Sequence, residues 1–337
     1  MLYVTTRSEK DTFTAFRALS AETAPDGGHF VPFKLPTYSI SQLKAMANGG
    51  FNQTVADVLN VFFSAGLTTW DVDLTIGKSC CKLLTMNHRM LISELWRNPA
   101  GNADYMVERL YSRLCSGHEA PVKAGDWAKT ATWIAIFFAI YAQAVQQEQI
   151  SLGDVIDVAI PGENFLMPMA AWYARKMGLP IQTIICACDD SCSYWDIIHR
   201  GTQSTATFTT PALLGIEKLF SATLGKDAAV AFTELCAKRR SYNLDEEQLP
   251  VVGEGLFCAV AGENRCAQTI NSVYRTNSYI TEQRTALSIS ALQDYRSATG
   301  KSRLTLIVSE IDPSGALEQI SNATGIGAGE LKKLINN

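Results

Sequence analysis

The sequence predicts an α/β fold, a parallel sheet covered on both faces by helices. Two observations predict it. The run V-I-D-V-A-I-P (155–161) is a short apolar strand, followed by a turn, the helical stretch M-A-A-W-Y-A-R-K-M and a second strand, I-Q-T-I-I-C-A (181–187). Strand, helix and strand joined by short turns make a βαβ unit, and that unit requires parallel strands. Just ahead lies T-A-T-W-I-A-I-F-F-A-I-Y-A-Q-A-V (130–145). It falls short of the roughly 20 apolar residues that span a bilayer and runs into Q-Q-E-Q, so it reads as a helix buried against the sheet.

The other elements follow in chain order. The opening M-L-Y-V-T-T-R-S-E-K-D lacks the apolar core of a signal peptide. A-P-D-G-G-H-F-V-P (24–32) is a turn cluster leading into a short extended piece, with Gly27 and Gly28 free to take positive φ. Y-S-I-S-Q-L-K-A-M-A starts a helix with Ser39 or Ser41 as its cap, and F-N-Q-T-V-A-D-V-L-N-V-F-F continues at helical spacing. These form a helical N-terminal lobe over residues 1–95. The polar stretch from Asn98 to Asp126 is expected to be irregular or a boundary, so 96–127 is set apart as a linker. Residues 128–337 form the sheet core, ending in further helices and a strand at 303–309.

Composition narrows the function classes. The 337 residues are 47% hydrophobic and 18% charged, which is ordinary globular usage, and the net charge is −4. No basic block supplies a footprint for nucleic acid, and none is expected as a partner, nor is a membrane. Nine cysteines lack the density of a disulfide scaffold and point to reduced thiols in a cytoplasmic protein.

Three stretches could carry chemistry. P-G-E-N-F-L-M-P (161–168) joins a strand to a helix, the layout of an anion cradle, because a helix N-terminus presents free amides. Only Gly162 is glycine there, and Glu163 brings a negative charge, so the turn reads as capped from within, with Asn164 as a further cap. C-A-C-D-D-S-C (186–192), with His199 beyond, lacks the spacing of a zinc knuckle, and no metal site is expected. G-I-G-A-G (325–329) follows no strand and reads as a loop. The four histidines are scattered and make no catalytic pattern.

Several segments, taken in order, resemble the threonine synthases, pyridoxal-phosphate enzymes of fold type II in the tryptophan synthase beta-like superfamily. They are Y-V-T-T-R (3–7), A-P-D-G-G-H-F-V-P, S-E-L-W-R-N-P (93–99), D-V-A-I-P-G-E-N-F, K-M-G-L-P-I, T-T-P-A-L-L-G-I-E-K-L-F, Y-x-T-x-x-Y-I-T-E-Q-R-T-A and V-S-E-I-D-P. The resemblance implies a three-layer sheet core with a helical N-terminal lobe. It also implies a threonine synthase reaction, a carbon–oxygen lyase acting on O-phosphohomoserine. At four places the chain departs from the family pattern. Asp104 stands at the expected Schiff-base lysine, and an aspartate cannot form the imine. Only residues 105–128 lie where the family has most of a small domain, which is expected to be largely deleted. The phosphate loop keeps Pro161, Asn164 and Phe165 but departs at Gly162, Glu163 and Leu166. Near the ring nitrogen the family pattern becomes Ser309, Glu310 and Asp312.

The expectation is therefore a protein without the cofactor, its vestigial site made of Gly162, Glu163, Asn164, Phe165, Leu166, Ser309, Glu310 and Asp312, working through binding or assembly. A small molecule or anion, or a second copy of the chain, is its expected partner. Two alternatives stand beside it: retained pyridoxal-phosphate catalysis, and new acid–base or metal-assisted chemistry in the old cleft from Asp104, Glu163, Glu310 and Asp312.

Overall fold

The structure is a computed structural model. It describes the chain except residues 79–80, 88, 99–102, 116, 120–122, 163–164, 190–193, 204–209 and 337, and except the side chains of 103–104, 203 and 210–212.

The N-terminal lobe starts with an antiparallel pair, β1 (Tyr3–Thr5) on β2 (Phe30–Pro32). The A-P-D-G-G turn feeds β2, and Gly27 takes φ +76° there. After α1 (Ala15–Ser20), α2 spans Ile40–Phe63. Ser39 is its cap and shares a capping box with Gln42. The two helical segments of the sequence join across a kink at Gly50, whose φ of +79° suits a residue without a Cβ. α3 (Thr69–Ile76) completes the lobe.

The main sheet has six strands, ordered β3-β4-β10-β5-β6-β9. Both strands of the predicted βαβ unit are there, β5 (Ile156–Pro161) and β6 (Ile181–Cys188), joined through α6 (Leu166–Lys176). The C-terminal strand is β10 (Thr305–Ser309), placed centrally between β4 and β5. Three strands were not anticipated: β3 (Lys82–Met86), β4 (Met90–Glu94) and β9 (Leu256–Val260). The sheet is mixed rather than all parallel, since β3 runs antiparallel to β4 as a hairpin at one edge. The stretch expected to be irregular contains α4 (Ala103–Leu114), with Met106, Val107, Leu110 and Leu114 buried in the core.

Side-chain alternation explains the three layers. Val158, Ile160, Leu306 and Val308 face one core with α2, α5 (Asp126–Gln146) and α6. Ala159, Ile185 and Ile307 face a second core, built with α11 (Glu263–Asn277), α12 (Gln283–Thr299), α13 (Leu317–Thr324) and α14 (Ala328–Asn336). The remaining helices, α7 (Trp195–Arg200), α8 (Thr210–Thr223), α9 (Lys226–Ala237) and α10 (Gln248–Val252), come between β6 and β9 in the chain, with the small pair β7 (Thr202–Gln203) and β8 (Tyr242–Asn243). By length and composition α5 could cross a membrane, but 89% of its apolar window is buried inside the protein. It is a core helix, as its setting ahead of the βαβ unit predicts.

Candidate functional site

The strands β4, β10, β5, β6 and β9 run parallel, so their carboxyl ends share one edge of the sheet. In open α/β sheets that edge is where ligands bind.

At the end of β5 the chain turns at Gly162. Its amide donates to the Ala187 carbonyl at 2.8 Å, and its carbonyl accepts from the Phe165 amide at 3.0 Å and from the Tyr194 hydroxyl. A Cβ at this position would lie 2.0 Å from the Tyr194 oxygen, so the turn needs glycine. Phe165 takes φ +51° and packs edge-on against Tyr194, with ring centroids 4.6 Å apart. Leu166 then opens α6, which has no side-chain cap from Phe165. The expectation that Glu163 and Asn164 satisfy the turn falls outside the described residues.

At the end of β10, Ser309 lies 3.0 Å from the Thr285 hydroxyl. Thr285 belongs to the first turn of α12, which Glu282 caps by accepting from the amides of Arg284 and Thr285. Glu310 pairs with Arg284 at 2.6 Å, and Asp312 accepts from the Ser314 amide at 2.8 Å. The four acids that might have converged are thus not shown together. Glu310 and Asp312 each have a partner of their own, Glu163 is outside the described residues, and so is the side chain of Asp104. Among the described residues no group of three potential ligands could hold a metal ion. A cavity of about 1040 Å³ opens on this edge, between the starts of α11 and α12, with Asp189, Gly262, Glu282, Arg284 and Ile311 on its walls.

Sequence reasoning passed over the end of β4. Glu94 is buried and bound to Arg97 at 2.5 Å, and Arg97 also donates to the Ile335 carbonyl of α14 at 2.7 Å. Among the described residues, Ser93 Oγ, Trp96 Nε1 and Asn98 Oδ1 are buried here without a hydrogen-bond partner, while the Tyr279 hydroxyl sits against Glu94 and Ser309 as hydrogen-bond partners. Burial, followed by the neighbouring Glu94 carboxylate, pushes the Tyr279 hydroxyl well above its ordinary pKa. S-E-L-W-R-N-P carried a resemblance in the sequence but no chemistry. A tryptophan beside two charged or amide residues in a strand-end segment is the only signal that could have marked it.

Of the cysteine cluster, Cys186 and Cys188 are buried within β6, and Cys192 lies outside the described residues. Cys186 faces Cys258 across β6 and β9, both are buried, and burial with the neighbouring thiols pushes the Cys258 thiol up. His199 is occupied by the Cys258 carbonyl at 2.7 Å.

A second charged cluster ties the N-terminal lobe to the core. Arg7 meets Glu217 at 3.0 Å, and the Thr6 hydroxyl donates to the same carboxylate at 2.5 Å. The buried Lys218 pairs with Asp126, and its ammonium lies 3.3 Å from the Thr130 hydroxyl. His29 lies 3.7 Å from Asp126.

Comparison with known proteins places these features. Residues 2–80 match the family model described as the threonine synthase N terminus. Threonine synthase-like 1 of Homo sapiens is 27% identical over 176 residues, covering 48% of this chain and 24% of that protein. Its Mus musculus counterpart is 37% identical over 76 residues, covering 23% and 10%. The match thus spans about a quarter of the first of these relatives. Among solved structures, the pyridoxal-phosphate-bound threonine synthase from Brucella melitensis has a TM-score of 0.79 at 16% identity, covering 100% of this chain and 95% of that one. Threonine synthase from yeast gives 0.77 at 15%, covering 99% and 93%.

The expected absence of a cofactor is corrected by these findings. The whole chain shares its fold with a threonine synthase solved with pyridoxal phosphate bound, and its N-terminal region matches the same family. One observation leaves room for such a group, the cavity that opens on the carboxyl edge of the sheet. At Gly162 the place of a side chain is taken by the Tyr194 hydroxyl.

Proposed function

We infer that this chain, with the N-terminal region and the fold of the threonine synthases, uses pyridoxal phosphate at the carboxyl edge of its sheet. The reaction class is that of a carbon–oxygen lyase on a phosphorylated amino acid, O-phosphohomoserine. The observation that carries this is the likeness of fold, over the full chain, to the pyridoxal-phosphate-bound enzyme from Brucella melitensis. Bound pyridoxal phosphate supplies an electron sink that eases removal of a proton from the amino acid.

The chain's own residues set up the site. The start of α6, an 11-residue helix, offers amides and the positive end of its dipole to a phosphate. Tyr194 and Phe165 hold the turn that leads into it. Glu310, paired with Arg284, stands where the family resemblance sets the group facing the ring nitrogen, and a carboxylate there would favour a proton on that nitrogen. Position 104 is aspartate, which cannot supply the amine that would attach the cofactor, so a lysine elsewhere in the chain would have to. The shortened stretch 105–128 leaves the cleft with little of a small domain over it. A cytoplasmic location goes with this reading.

Borohydride reduction of the protein loaded with pyridoxal phosphate, followed by peptide mapping, tests the reading. One labelled lysine is expected, together with phosphate release from O-phosphohomoserine. No spectral change on adding saturating pyridoxal phosphate, and no label, would sink it.

A further inference from the structure

Five buried side chains at the carboxyl edge of the sheet form one continuous hydrogen-bonded row. It begins at Glu282, the cap of α12, which stands on the wall of the cleft, the cavity of about 1040 Å³. Glu282 meets the Thr285 hydroxyl at 2.5 Å, and Thr285 lies 3.0 Å from the Ser309 hydroxyl at the end of β10. Ser309 and Glu94 are both hydrogen-bond partners of the Tyr279 hydroxyl. Glu94, at the end of β4, stands on the wall of a second cavity of about 280 Å³, whose lining includes the exposed Lys82 and Leu334. None of the five is more than 8% exposed.

The ends of the row fix its direction. A carboxylate only accepts, so Tyr279 donates to Glu94, and Ser309 is left to donate to Tyr279. Beyond burial, the Glu94 bond raises the Tyr279 pKa and the Ser309 bond lowers it, as a hydroxyl that donates to the first and accepts from the second must show. Glu282–Thr285, Thr285–Ser309, Ser309–Tyr279 and Tyr279–Glu94 are four contacts, and the three hydroxyls bring three hydrogens. The row is one hydrogen short. A proton that reaches Glu282 supplies it: the carboxyl then donates to Thr285, and Thr285 is freed to donate to Ser309.

We propose that Thr285, Ser309 and Tyr279 are positioning residues that relay a proton from Glu282 at the cleft to Glu94 beside the second cavity. The relay rests on the reading above, in which the amino acid gives up a proton at this edge. Glu282 passes its proton to Thr285 Oγ, the Thr285 proton moves to Ser309 Oγ, the Ser309 proton to Tyr279 Oη, and the Tyr279 proton to the Glu94 carboxylate. Each hydroxyl loses one hydrogen and gains one. Glu282 recovers its negative charge, Glu94 gives its own up, and the proton leaves by way of the second cavity.

Neutron diffraction from crystals of the full chain without cofactor reads the hydroxyl directions. The Ser309 hydrogen is expected toward Tyr279, and the Tyr279 hydrogen toward Glu94. In the protein loaded with pyridoxal phosphate, Tyr279→Phe and Thr285→Val should each lower kcat for phosphate release from O-phosphohomoserine by about tenfold or more, with KM and the cofactor spectrum unchanged. Thr285→Ser keeps the hydroxyl and should keep the rate. In mixtures of H2O and D2O the wild-type rate should fall along a curve, the mark of several protons in flight, and the Tyr279→Phe rate along a straight line. The Thr285 variants decide the matter if the tyrosine variant does not fold. Wild-type turnover in Thr285→Val, or a Tyr279 hydrogen that points away from Glu94, would overturn the relay and leave the proposed reaction standing. Wild-type protein that takes up no pyridoxal phosphate would overturn the reaction, and the relay with it.

Discussion

Two polar clusters in this protein, both buried, are built on opposite plans. In the clamp between the N-terminal lobe and the core, each charge has its counter-charge: Arg7 with Glu217, and Lys218 with Asp126. At the end of β4 the charges are also matched, Glu94 with Arg97, but neutral polar atoms around them are left over. An unpaired atom alone does not mark a site. The Trp127 indole beside the clamp, packed among the rings of Tyr3, Phe62 and Tyr173, turns its N–H toward the Tyr3 hydroxyl. What distinguishes the β4 end is that the unpaired Trp96 indole lines a cavity. Paired charges hold the fold, and unpaired donors facing space are available to something else.

The largest effect separating the two clusters should come from Lys218→Met. It strands the Asp126 carboxylate, and breaking a buried ion pair from one side typically costs about 3–5 kcal/mol. Urea denaturation should show that loss, and a change below about 1 kcal/mol would mean that the clamp is not a clamp.

A smaller and pH-dependent effect belongs to His29. Burial first, and then the Lys218 ammonium, hold its pKa below the ordinary 6.5. The unfolded chain therefore takes up this proton at a higher pH than the folded protein does. The stability His29 contributes is complete above pH 6.5 and is lost as pH falls from 6.5 toward the folded value. The slope is at most about 1.4 kcal/mol per pH unit. Melting curves between pH 7 and pH 5 should flatten in His29→Asn by that amount.

The smallest effect sharpens the contrast from the other side. Tyr279→Phe removes a hydroxyl held by Glu94 and Ser309, so stability should fall by about 0.5–1.5 kcal/mol. No loss in thermal or urea melts would show that the hydroxyl is idle.

Much of the fold was legible because its signals are long and redundant. The apolar runs of β5 and β6, separated by one helix, define the βαβ unit, and the all-buried pattern of β5 is what a central parallel strand requires. The missed strands are short. β9 and β4 have five residues each, and an apolar run of that length does not tell a strand from a helical turn. α4 was passed over although Met106, Val107, Leu110 and Leu114 recur at helical spacing, because N-P-A-G-N ahead of it reads as a break. The site was less legible for a different reason. Sequence shows that Glu310 and Asp312 are acids, but not that one is paired with Arg284 and the other spent on a turn. Nor does it show whether the Trp96 N–H finds a partner. The cofactor was misjudged because substitutions can be counted in a sequence, whereas the persistence of a whole framework cannot.

The helix α5 also has a consequence for how the chain is made. Synthesis runs from the N-terminus, so residues 126–146 leave the ribosome before β5 and β6, the strands they will cover, exist. Taken alone, this segment is a strongly apolar rod in water. Its earlier-made neighbour α2, whose buried face includes Val55, Leu59 and Phe62, belongs to the same core and is already available. Pairing of these two helices is the natural first shelter for the nascent chain. Substitutions on that face of α2 should therefore lower soluble yield by more than they lower the stability of the finished protein.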